Sequence, residues 1–119
     1  MPPVTWHEVI DERSLELHAV LAELLRNDAA KLDLVIAWIE KFLADPDYSA
    51  QSKVALSEWL RVIQSGGLTA VLPVLVDRGS NGQRMRQSSP FAVIMPQDER
   101  KRIFARYEAR RPRTHPASV

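Results

Sequence analysis

The chain contains no cysteine, which excludes a disulfide framework and every thiolate metal site. Its three histidines, His7, His18 and His115, are scattered and offer no ligand spacing, so no metal centre is expected. No run of about 18 uncharged apolar residues occurs, as a membrane-crossing helix requires. The opening MPPVTWHEVIDER has neither the basic n-region nor the apolar h-region of an export signal. The expectation is a soluble, unexported, cytoplasmic protein with no membrane contact. Catalytic signatures are missing as well: G-x-S-x-G, the P-loop, GxGxxG and H-E-x-x-H do not appear. The adjacent acids Asp98-Glu99 read better as first-turn helix charge than as an acid/base couple. No enzyme, no catalytic residue and no cofactor is expected.

What is present is a segregation of charge. The 119 residues, 45% apolar, fit one domain with one core. The overall charge of +1 hides two blocks of opposite sign. Residues 1–77 hold 6 Lys/Arg against 12 Asp/Glu, a net of −6, and residues 78–119 hold 10 against 3, a net of +7. This divides the chain into an acidic helical body and a basic C-terminal arm. Such asymmetry marks a segment that reaches either an anionic partner or the acidic body of its own chain or dimer mate.

The body reads as helical. From Asp11 to Arg26, Leu17, Leu21, Leu24 and Leu25 recur at three- and four-residue steps, the period of an amphipathic helix. His18 lies at the margin of that stripe and reads as a boundary histidine without chemistry. After the cap-forming Asn27-Asp28, a second helix is expected from about Ala30 to Ala44, stopped by Asp45-Pro46. Its apolar residues surround more than half its girth, which predicts the centre of the bundle, with Trp38 filling core. Leu56, Trp59, Leu60 and Ile63 define a third helix, ended by Gly66-Gly67. LTAVLPVLVD then fits a short helix perturbed by Pro73, or else the first strand of a hairpin pairing with FAVIM across DRGSNGQ. The fold expected is all-α, a small bundle of four to five helices.

In the arm, the Pro in Gln87-Ser88-Ser89-Pro90 pushes the chain into an extended crossing, with Phe91, Val93, Ile94 and Met95 as apolar anchors. A final helix is encoded from Pro96 to Ala109, its acids at the positive end of the macrodipole and its arginines at the negative end. Its projection gathers Ile103, Phe104 and Tyr107 into a narrow apolar face, with Arg100 and Arg111 on the same side and Arg102, Arg106 and Arg110 beside them. Arginine suits bidentate contact with carboxylate or phosphate. Arg84, Arg86, Phe91, Arg100, Arg102, Ile103, Phe104, Arg106, Tyr107 and Arg110 are therefore the candidate partner-binding residues. Truncation after Asp77 is expected to leave a cooperatively melting body.

The strings R-S-L-E-L-H (Arg13 to His18), Glu58-Trp59, R-M-R-Q-S-S-P-F-A (Arg84 to Ala92) and P-Q-D-E-R (Pro96 to Arg100) resemble a group of small bacterial helical proteins of antitoxin type. The likeness spans most of the chain and departs from the group at Val93-Ile94-Met95, where a glycine-containing turn would be expected. The resemblance implies a non-catalytic antitoxin that neutralises a cognate protein toxin, with autoregulation. A nucleic-acid-binding module is the alternative, since Arg102, Arg106 and Arg110 form one line suited to the phosphates of DNA or RNA. Homodimerisation is compatible with either reading.

Overall fold

A capping box starts the first helix earlier than its leucine stripe suggests. The Thr5 hydroxyl accepts from the Glu8 amide, and the Glu8 carboxylate accepts from the Thr5 amide, each at 3.2 Å. In the computed structural model, which describes residues 5–111, helix α1 therefore runs Trp6–Asn27. The Asp28 side chain accepts from the Ala30 amide at 3.2 Å and leads into α2, Lys31–Leu43. Ser49 caps α3, Ala50–Leu75. Three further elements follow: α4, Ser80–Gln87; a single 3-10 turn, Phe91–Ile94; and α5, Gln97–Glu108. The fold is all-α, as expected, and no strand occurs among the described residues.

Gly66-Gly67 bends the third helix without ending it. Gly67 has φ 58° and ψ −138°, a backbone region closed to residues with a Cβ, and the chain resumes helical geometry on the far side. The segment containing Pro73 is thus the second limb of α3, and the hairpin alternative is excluded by its helical backbone. DRGSNGQ, the bend that hairpin would have needed, instead turns the chain into α4. The Asp77 carboxylate accepts from the Gly79 amide at 2.9 Å and holds this turn. Gly82 sits so close to the turn that a Cβ there would run into the Asp77 carbonyl oxygen and Cβ. Only glycine lets α4 fold back so tightly.

Position α1, not α2, is the centre of the bundle. α1 touches every other element, whereas α2 packs on α1, α3 and the 3-10 turn. α2 buries Leu32, Val35 and Ile39 but leaves Leu34 57% exposed. Trp38 is half-buried against the core and begins an aromatic series, with ring centroids 4.5 Å to Phe42 and 4.9 Å from there to Tyr48.

Two apolar clusters hold the molecule. The larger joins Leu21, Leu25, Val35, Ile39, Trp59 and Val71 from residues before 78 with Met85, Phe91, Ile94 and Met95 from the basic segment. Trp59 and Phe91 are both fully buried and meet edge to face at 5.0 Å, and the Trp59 indole donates to the Met85 carbonyl at 2.9 Å. The smaller cluster seats Ile103 and Tyr107 of α5 on Val9 of α1. The boundary at Asp77 is therefore one of charge, not of packing.

Candidate functional site

α5 lies antiparallel along α1, and the charges of the two halves meet there. Glu16 pairs with Arg106 and accepts from the Tyr107 hydroxyl at 2.7 Å; four residues earlier, Glu12 meets Arg110 at 2.9 Å. Burial, and then the Glu16 carboxylate, push the Tyr107 phenol above its ordinary pKa. On α3, Glu58 receives two hydrogen bonds from Arg84, at 2.9 and 2.7 Å. These bonds hold the Glu58 carboxyl below its usual range. Three arginines of the basic segment, Arg84, Arg106 and Arg110, thus meet acids of the body, so part of the charge asymmetry read from the sequence is intramolecular complementarity.

This placement re-sorts the ten candidate residues. Phe91, Ile103 and Tyr107 face inward and hold the fold, so they are not partner anchors. The chain before Phe91 is no extended crossing, because Phe91 enters the core on a 3-10 turn whose first amide donates to the Ser89 hydroxyl. Arg86 is buried too: its guanidinium donates to the carbonyls of Leu75, at 3.3 Å, and Asp77, at 2.5 Å, closing the C-terminal end of α3. Arg102 is exposed and pairs with Glu99 of its own helix. Arg84, Arg106 and Arg110 are surface residues engaged with body acids. Arg86, Arg100 and Phe104 are brought together around one cavity.

That cavity, about 480 Å³, opens between α1, α4, the segment after it and α5. Its polar wall comes from Asp11, Arg13 and His18 of α1, Gln83 and Arg86 of α4, and Arg100 of α5. Ile10, Leu17, Leu21, Met95 and Phe104 supply the apolar wall. The Phe104 ring carries two cations, with the Arg13 guanidinium 4.0 Å and the Arg100 guanidinium 4.4 Å from its centroid. Desolvation, and after it repulsion from Arg100, lowers the Arg13 pKa. Asp11, the one carboxylate of the wall, accepts from the Gln83 side-chain amide at 2.5 Å. Among the described residues, Arg13 and Arg100 have no ion-pair partner.

His18 belongs to the same wall. It is 6% exposed, and its Nδ1–H donates to the Ser14 carbonyl at 2.6 Å, which leaves Nε2 as the lone-pair nitrogen. Burial above all pushes its pKa down to about 4, with nearby Arg86 acting in the same direction against the Ser14 bond. The ring is neutral at pH 7. Among the described residues, three buried side-chain nitrogens find no hydrogen-bond partner: Arg13 Nε, His18 Nε2 and Arg86 Nε. All three residues line this cavity.

Sequence reasoning missed Asp11, Arg13, His18 and Gln83 as site residues, because no short-range spacing joins α1 to α4 and α5. Comparison with family models, with curated proteins and with solved structures returns no match.

Proposed function

We propose that this chain acts by binding, as a non-catalytic protein of antitoxin type that neutralises a cognate protein toxin. One observation carries the reading. Of the four strings behind the resemblance, Arg13 to His18 lies far in sequence from Arg84 to Ala92 and Pro96 to Arg100, yet all three contribute to the wall of one cavity, while Glu58-Trp59 lies outside it. Residues that characterise a group and meet in one place are what a shared binding task requires. The partner is met by a folded surface rather than by a wrapping peptide, since the apolar anchors of the basic segment are consumed by the core. The outward side of α5 offers Lys101, Arg102 and Ala105, a rigid positive face suited to an acidic protein.

Affinity capture with the full chain from its native host tests this reading, with a Lys101→Glu/Arg102→Glu double variant alongside. A stoichiometric protein partner, lost in the charge-reversed variant, is the expected outcome. The nucleic-acid alternative draws on the same exposed cations. It gains if no protein is captured while affinity for random duplex DNA falls with salt at a log-log slope of about −0.9 per phosphate.

A further inference from the structure

We infer that the cavity between α1, α4 and α5 is a binding site for a small amphipathic organic anion, an apolar body bearing a carboxylate or phosphate head. The inference goes beyond the toxin reading and needs no protein partner.

Charge balance comes first. The wall carries three guanidinium groups, Arg13, Arg86 and Arg100, and one carboxylate, Asp11, while His18 is neutral. Asp11 is bonded to Gln83 and acts on Arg86, and Glu108, the acid acting on Arg13, bonds to Arg111. Two positive charges thus stand uncompensated beside an apolar wall, where a counter-charge interacts more strongly than in open water. The placement of the guanidiniums matters as much. The Arg13 and Arg100 guanidinium carbons lie 4.0 and 4.4 Å from the Phe104 ring centroid, so one ring gathers both heads in the wall. Neither is spent on an ion pair among the described residues, which leaves them for an oxyanion. Arg86 is immobilised by the end of α3, so its position in the wall is fixed before any ligand arrives.

The remaining features select an organic ligand over a bare ion. A cavity of about 480 Å³ falls within the roughly 300–1,000 Å³ of small-molecule sites and far exceeds one oxyanion. Leu17, Leu21 and Met95 offer the apolar body a dry surface. Arg13, His18 and Arg86 each also keep one buried side-chain nitrogen without a hydrogen-bond partner among the described residues, so polarity beside this cavity is left unsatisfied by the fold.

The test is calorimetric titration of the full chain with phenyl phosphate, 3-phenylpropanoate, the neutral amide of the latter, and inorganic phosphate. At least one of the two amphipathic anions should bind saturably at one site, and the tighter of them identifies the head group. Both the amide and inorganic phosphate should bind about tenfold more weakly or worse. Arg13→Gln and Arg100→Gln should each weaken the anion by about tenfold, whereas Arg61→Gln on the exposed side of α3 should not. Arg100 is exposed, so its variant keeps the test valid even if Arg13→Gln perturbs folding. Absence of saturable binding by both anions, equal binding of the amide, or undiminished binding by a folded Arg100→Gln protein would overturn the inference.

Discussion

Phe91 and Phe104 stand thirteen residues apart in the same basic segment, and truncating each to alanine should give very different outcomes. Phe91 is fully buried, edge to face with Trp59, and its loss opens a cavity in the main core. Phenylalanine-to-alanine changes at such sites cost about 3–5 kcal/mol. At roughly 4 °C per kcal/mol for a domain of this size, the melting temperature should fall by roughly 12–20 °C. Phe104 is half-buried between two guanidiniums at the cavity wall. Its removal forfeits partial apolar burial and two cation–π contacts, about 0.5–1 kcal/mol each at such exposure. A loss of about 2 kcal/mol, roughly 8 °C, is expected. Thermal melts followed by far-ultraviolet circular dichroism read both. Equal losses, or a larger one at Phe104, would refute the assignment of Phe91 to the core and Phe104 to the cavity wall.

His18 gives a pH signature: its folded pKa of about 4 lies below the ordinary 6.5, so its contribution is complete above pH 6.5 and is lost as pH falls towards 4. Roughly 3 kcal/mol disappears across that window, and denaturant melts of His18→Gln should lack this component of the acid dependence. Gly82→Ala should destabilise by about 1–3 kcal/mol through collision with Asp77, although alanine ordinarily stabilises a helix; a raised melting temperature would contradict the tight α3–α4 turn. Tyr107→Phe removes only the hydroxyl that binds Glu16 and should cost about 1 kcal/mol in the same melts, with no change meaning that α5 is not held there.

Periodicity and caps made much of the architecture legible. The leucine stripe gave α1, Asn27-Asp28 and Asp45-Pro46 bracketed α2, and Pro96 with its acids marked α5 to within a residue of its observed start. The earlier start of α1 was also written in the sequence, as the Thr5 to Glu8 capping box. α4 was not legible, because eight mostly polar residues with a glycine carry no amphipathic stripe and the helix exists through its packing on Trp59 and Asp77. The charge blocks were visible, but their meaning depended on α5 returning along α1, which only the tertiary fold determines. The cavity lay beyond sequence patterns for the same reason. Arg13, Arg86 and Arg100 become neighbours through three separate helices, and His18 looked like a boundary residue until Arg86 and its unpartnered Nε2 gave it surroundings.

The central claim is that the basic segment is part of one folded unit with the acidic body, and truncation after Asp77 tests it most directly. The shortened chain loses Met85, Phe91, Ile94 and Met95 from the main core, strips the Trp59 indole of its acceptor, and exposes Val9. At about 1.5–3 kcal/mol for each large buried apolar side chain, the core loss alone is roughly 6–12 kcal/mol. That is comparable to the whole stability of a typical domain, about 5–15 kcal/mol. Urea denaturation of residues 1–77, followed by Trp fluorescence and circular dichroism, should show no cooperative transition. A sharp transition with native-like midpoint in the truncated chain would show that the acidic body folds alone, and would contradict the account.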